Sequence, residues 1–177
     1  MLERLSLPVS VAASIGEITI RRAQADDVRR LMELLSDDPI SARRGDIADA
    51  GDEPTYASAF ERVIADADND LVVAVDAQGV VVGTLQLTLI PGMARRGSTR
   101  LLVEAVRVGS AQRNAGIGRA MMRWVNSRAA VDLGADLVQL TSDAARVDAH
   151  RFYERLGFVG SHVGFKYPVP PTAEGTT

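Results

Sequence analysis

The sequence predicts an α/β (α+β) fold, a mixed sheet covered by helices, on three observations. Strand-like and helix-like segments alternate through most of the chain. The centre holds a run of consecutive β-rich segments. The second half then continues as helix, strand, helix, strand.

The first fifteen residues, MLERLSLPVSVAASI, have a weakly apolar middle interrupted by Glu3, Arg4 and Pro8, so residues 1–16 read as an N-terminal extension and not as a signal. Glu17 to Arg22 alternates Ile18 and Ile20 with polar neighbours, the period of a half-buried strand. Asp26 then precedes the helical spacing of Val28, Leu31, Leu34 and Leu35. Ser36 to Pro54 is rich in Asp, Gly and Pro and reads as a loop with a short helical turn, able to frame a substrate entrance.

Tyr56, Phe60, Val63 and Ile64 recur at helical spacing, followed by β-rich runs at Leu71–Val75 and Val80–Ile90 joined through Asp76-Ala77-Gln78-Gly79. Pro91 and Gly92 open a turn containing Arg95 and Arg96, and Thr99–Val108 supplies the next strand. The loop Gln112–Gly118 leads into a helix that carries Ile117, Met121, Trp124 and Val125 on one face and stops near Gly134. Leu137–Leu140 is a strand, Ala144–Leu156 a second amphipathic helix ended by Gly157, and Phe158–Pro168 is expected to supply the final strands. The tail, residues 169–177, is expected to be flexible.

At 177 residues the chain suits one compact domain, here residues 17–168. With 46% hydrophobic and 24% charged residues it has ordinary globular composition. A formal net charge of -3 argues against a general nucleic-acid binder, which needs a basic face to neutralise phosphates. Zero cysteines exclude disulfides, thiolate metal sites and a cysteine nucleophile. The two histidines, His150 and His162, lack an acidic cluster and make no metal case. No stretch is apolar enough to span a bilayer, so the expected setting is cytoplasmic.

The strongest local signal is QRNAGIGRA at 112–120, between an apolar strand and an amphipathic helix. Gly116 and Gly118 lack a Cβ and let backbone N–H groups approach a ligand, and the helix start adds exposed donors and a dipole favourable to an anion. No Lys-Ser or Lys-Thr follows Gly118, and GIGRAM is not a GxGxxG at a first βα unit, so the nucleoside-triphosphate and dinucleotide readings fail.

Arg113-Asn114-Ala115-Gly116-Ile117-Gly118 resembles the R/Q-x-x-G-x-G/A acyl-CoA motif of the GCN5-related N-acetyltransferase (GNAT) superfamily. VVVGTLQL at 80–87, LVEAVRV at 102–108 and HRFYERLGF at 150–158 resemble that superfamily's successive segments in the same order. The resemblance covers about Ile18 to Tyr167. It implies an acetyl-CoA-dependent N-acetyltransferase with a strongly bent mixed sheet whose two central parallel strands splay apart. It further implies that backbone groups of Val106, Arg107 and Val108 bond the pantetheine arm. Arg113, Asn114, Ala115, Gly116, Ile117, Gly118 and Arg119 would hold the pyrophosphate. Asn114 stands where glycine is common in the family, and Asn tolerates left-handed backbone.

Acetyl transfer needs a neutral amine, stabilisation of an oxyanion and a proton for the departing thiolate. Glu104 interrupts an otherwise apolar strand two residues before Val106, which places both on one face in a regular strand. A carboxylate buried there would have a raised pKa. By resemblance Glu104 is the base and Tyr153 the general acid near the sulfur. The plainer alternatives are an ion pair for Glu104 and core packing with Phe152 and Leu156 for Tyr153. Thr141-Ser142-Asp143 stands where many relatives have a pantetheine-contacting asparagine; Ser142 or Asp143 could replace it, with Asp143 as a helix cap the preferred reading. Tyr56, Phe60, Gln86, Thr88 and Arg95 are further candidates for the acceptor pocket. The acceptor is expected to be a small-molecule amine, with a peptide or protein amine or a non-catalytic acyl-CoA sensor as alternatives. No metal is expected, and pairing among relatives makes a homodimer compatible with the resemblance.

Overall fold

The structure is a computed structural model, which describes residues 2–170. Most of the expected flexible tail lies outside the described residues. Internal contacts divide the chain into two compact units, one ending at Leu140 and the other beginning at Thr141.

The first unit is built on a six-stranded sheet in the order β1-β2-β3-β4-β5-β6. Its strands are β1 (Val9–Ala13), β2 (Gly16–Arg22), β3 (Asn69–Val75), β4 (Val81–Ile90), β5 (Arg100–Val108) and β6 (Leu137–Leu140). Neighbours are antiparallel except β5 and β6, which run parallel because a helical crossover separates them. The mixed sheet is as the sequence predicts, but β1 is an addition. Its Val9 and Val11 pair with Ile20 and Ile18, so part of the expected extension is the sheet's first edge strand. The residues before it are tied down as well: Leu2 and Leu5 are buried, and Arg22 donates to both their carbonyls while its Nε holds Asp70 at 2.8 Å.

Helices α1 (Val28–Ser36) and α3 (Glu53–Ala65) cover one face, with the short α2 (Pro39–Ala42) between them. Leu31, Met32, Leu34 and Phe60 form a core with Val73, Val75 and Val81 of the sheet. Asp38 caps α2, accepting from the N–H groups of Ile40 and Ser41. Between β4 and β5 lies one turn, α4 (Ala94–Gly97), in which Arg95 and Arg96 hold positive φ.

The opposite face is covered by α5 (Ile117–Trp124), which continues through a π-helical turn (Val125–Ala129) into α6 (Ala130–Leu133). Ile117, Met121, Met122 and Val125 are buried. Gly134, at φ +69°, ends the helix as the sequence suggests. A side chain on Gly83 would meet Met121 Sδ at 3.1 Å and Ile117 at 3.5 Å, so this glycine permits the close seating of α5 on β4.

The second unit contains α7 (Val147–Glu154), shorter than the expected Ala144–Leu156. The final strands expected over Phe158–Pro168 are not formed. These residues form no ladder with any described residue, and Val163, Phe165, Tyr167 and Val169 are at least 80% exposed. Their apolar alternation is that of a strand, yet an extended segment without a hydrogen-bonded neighbour does not register as one. No helix among the described residues is long and apolar enough to cross a membrane.

Candidate active site

The site's central feature is an irregularity in β5. Gln86 pairs with Glu104 and Thr84 with Arg107, so Leu85 alone on β4 spans the same interval as Ala105 and Val106 on β5. This is a β-bulge, and Ala105 takes φ +49° to make it. The bulge breaks the period of two. Gln86 and Thr84 are two apart on one strand and share a face, so Glu104 and Arg107 share that face too, and the expected common face for Glu104 and Val106 is not found. Leu71 and Val73, opposite Gln86 and Thr84 on β3, identify it as the face packed by α1 and α3.

Glu104 is exposed, which corrects the expectation of a buried carboxylate. Beside it lies a small polar cluster. Thr88 Oγ1 donates to Asn69 Oδ1 at 2.6 Å, and Gln86 Nε2 reaches the same oxygen at 3.3 Å. Arg107 is half-buried and donates to Ser41 Oγ at 2.6 Å and to the Val106 carbonyl at 2.9 Å. The expected entrance loop is therefore fastened to the strand immediately after the bulge. Tyr56 of α3 donates to Asp46 Oδ1 of that loop at 2.6 Å. That bond, with burial and the charges of Asp46 and Asp52, pushes the phenol pKa from 10.0 up to about 12.

β5 loses its parallel partner before it ends. Pairing with β6 runs from Arg100–Leu137 to Val103–Leu140, and Glu104 to Val108 have no β6 partner. β6 itself ends at Leu140, so β5 runs on beyond its parallel neighbour. Beyond β5, Gly109 donates to the Val82 carbonyl and the chain turns through Ser110–Gln112 into the loop.

In the loop Asn114 takes φ +66°, a conformation Asn tolerates, and Gly116 takes φ +81° as the residue before α5. No side chain among the described residues caps α5, which leaves its first-turn N–H groups and dipole able to meet an anion. Ile117 is buried under the sheet, while Gly118 is half-exposed and Arg119 exposed on the first turn. Arg113 is engaged with the end of α1: it donates to the Asp37 carbonyl at 3.0 Å and lies 3.8 Å from the Asp37 carboxylate, which also accepts from the Ser110 N–H. The close neighbour of Gly116 is Ser14 of the β1–β2 turn. A Cβ at Gly116 would lie 2.5 Å from Ser14 Oγ, a contact that the sequence, read without β1, gives no reason to expect.

Glu104 and the loop belong to the unit that ends at Leu140, and Tyr153 to the other. Within its own unit Tyr153 packs edge-on against Phe152 and Phe158, with ring centroids 5.1 and 5.8 Å away. Ser142 Oγ is buried without a hydrogen-bond partner among the described residues. Asp143 does not cap α7: it closes an Asx turn, accepting from the Ala145 N–H at 2.9 Å, and Arg146 precedes the helix. His150 Nε2 lies 2.9 Å from the Asp143 carbonyl, and His162 Nδ1 lies 2.7 Å from Ser161 Oγ.

A bent mixed sheet, a bulged strand losing its parallel partner and a glycine loop opening an uncapped helix together define an acetyltransferase-type fold. The chain belongs to the Acetyltransferase (GNAT) family, whose model matches residues 28–158. Among solved structures it is similar to a transcriptional regulator from Bacillus halodurans C-125, at 38% identity and TM-score 0.80 over 86% of this chain and 99% of that one. It is also similar to a putative acetyltransferase from Agrobacterium tumefaciens str. C58, at 25% identity and TM-score 0.72 over 85% and 99%. Glucosamine-6-phosphate N-acetyltransferase from Arabidopsis thaliana, at 19% identity and TM-score 0.66 over 86% and 99%, shares the fold. No curated protein matches the chain.

Proposed function

We propose that this protein transfers an acetyl group from acetyl-CoA directly to the primary amine of a small molecule. The observation that carries the reading is the open edge of β5: Glu104 to Val108 have no β6 partner, and the strand leads through a short turn to the uncapped start of α5. An extended arm with two amides can bond such an edge as a strand would, around Val106, Arg107 and Val108. A pyrophosphate fits the backbone donors from Arg113 to Arg119, since helix N-termini bind anions without further charge. Acetyl-CoA has both parts, and its thioester supplies the acyl group.

In this reading Glu104 takes a proton from the incoming ammonium, directly or through water, and its exposure leaves it in reach of an amine from solvent. The neutral nitrogen attacks the thioester carbonyl, whose oxygen is polarised by backbone N–H groups. As the C–S bond breaks, the phenol of Tyr153 gives its proton to the sulfur, and the excess proton on the nitrogen passes through water to restore the phenol. Glu104 and Tyr153 keep their roles through resemblance to the family. We place the reaction in the cytoplasm, by default.

A second reading, a non-catalytic acyl-CoA sensor, is favoured by one observation: the Bacillus halodurans neighbour at 38% identity is named a transcriptional regulator. Calorimetric titration with acetyl-CoA, followed by a screen of amines for free-thiol release, separates the two. Binding with amine-dependent thiol release is the expected result. Binding without release supports the sensor, and absence of binding overturns both.

A further inference from the structure

The polar cluster beside Glu104 has a fixed hydrogen-bond polarity. Asn69 Oδ1 accepts from Thr88 Oγ1 and from Gln86 Nε2, which occupies both lone pairs of that oxygen. The Asn69 amide therefore turns its N–H donors away from both neighbours. The same bond commits the nitrogen of Gln86 and leaves its Oε1 as an acceptor. Neither group has another hydrogen-bond partner among the described residues. Gln86 is directly across the β4–β5 ladder from Glu104, a separation of about 5 Å between Cβ atoms for such pairs. Asn69 is on the next strand, opposite Thr88, on the same face. Running across the sheet, the face presents a carboxylate, a carbonyl acceptor and an amide donor, all at least partly open to solvent. Asn is a poor strand former, and sheet pairing itself has no need of two side chains gathered on the oxygen of a third.

We infer that Asn69, Gln86 and Glu104 form an acceptor subsite for amines that carry an oxygen within a few bonds of the nitrogen. Glu104 and Gln86 Oε1 accept from the hydrogens of the nitrogen, and the Asn69 amide donates to the hydroxyl or ether oxygen. Thr88 is a positioning residue, since its hydroxyl holds the Asn69 amide in the donating orientation. The inference rests on the acetyl-transfer reading, with Glu104 beside the acceptor nitrogen.

The test compares 3-amino-1-propanol with butylamine, molecules of similar length in which a hydroxyl replaces a methyl, as acceptors for the full chain with acetyl-CoA. The wild type is expected to favour the amino alcohol in kcat/KM by about fivefold or more, the worth of one net hydrogen bond. Asn69→Leu removes that preference, raising KM for the amino alcohol more than for butylamine, which feels only the released Gln86 amide. Gln86→Met raises KM for both. Thr88→Val weakens the preference and Thr88→Ser, which keeps the hydroxyl, restores it, whereas a purely structural role for Thr88 would slow both amines in parallel. Equal rates with the two amines in the wild type, or a preference that survives Asn69→Leu, overturn the subsite alone. Acetyl-CoA binding without thiol release from either amine overturns the acetyl-transfer reading and the subsite with it.

Discussion

Arg107 donates a 2.6 Å hydrogen bond to Ser41 Oγ, joining the strand just past the bulge to the loop between α1 and α3. Ser41 is only 3% exposed, so this is a bond made away from water. Ser41→Ala removes one acceptor from a guanidinium and is expected to cost about 1–3 kcal/mol, because hydrogen bonds to charged groups exceed neutral ones. The check is a lower urea midpoint at unchanged slope, with faster proteolytic cleavage between Arg43 and Asp49.

Gly116 serves two masters, the loop and Ser14. Gly116→Ala must adopt φ +81° with a Cβ 2.5 Å from Ser14 Oγ, so both backbone strain and a steric clash oppose it. Loss of acetyl-CoA affinity with a lower Tm is expected. In a Ser14→Gly background the contacts with the hydroxyl and Cβ go while the backbone N of residue 14, 2.7 Å from the new Cβ, still opposes it, so only a small part of the Tm returns. A Tm that does not move in the single variant would show that the β1–β2 turn yields freely.

Tyr153→Phe keeps the ring that packs on Phe152 and Phe158 and removes the phenolic proton. Turnover is expected to fall about 100-fold, within the range of general acid catalysis, with acetyl-CoA affinity unchanged. Single-turnover rates and calorimetry on the same preparation measure the two effects. Unchanged turnover would assign this tyrosine to packing.

Asp27 couples stability to acid. Burial works to raise its pKa, but the hydrogen bonds from Arg21 and the Gln24 N–H, together with the Arg21 charge, outweigh it and hold the carboxyl below its ordinary 3.8. A lowered folded-state pKa contributes stability above 3.8 that is lost as the pH falls through the folded value. Wild-type stability should therefore decline in acid, below that point, as Asp27 takes up its proton. Asp27→Asn is expected to be less stable at neutral pH and to show a shallower decline, measured by urea unfolding from pH 6 to about 2.

Much of the fold was legible because it rests on spacing. Ile18 and Ile20, Leu71–Val75 and the Ile117-Met121-Val125 stripe announce their elements by period, and Gly134 stops its helix for a reason visible in the residue itself. β1 was not legible, since VSVAA acquires its meaning from pairing with β2, a contact no local pattern contains. The bulge was hidden in the same way. Ala105 carries no turn chemistry, its positive φ is imposed by the ladder, and the resulting swap of faces between Val106 and Arg107 follows only from register. The loop at 112–119 was readable from its glycines, and its tie to Asp37 was not. Phe158–Pro168 shows the converse, an alternating pattern that forms no ladder among the described residues.

The π-helical turn at Val125–Ala129 solves a problem of phase. The buried residues Ile117, Met121, Val125, Ala129 and Leu133 fall at every fourth position. On a uniform α-helix each such step overshoots a full rotation by about 40°, and the stripe would wind off the sheet within three or four steps. A wider turn rotates less per residue and takes back the larger part of that drift. The turn acts as a leap day in the helix, one surplus residue that keeps the far end in season with the near one. Shortening the chain there by a single residue would swing Ala129 and Leu133 toward water while leaving every residue's identity intact.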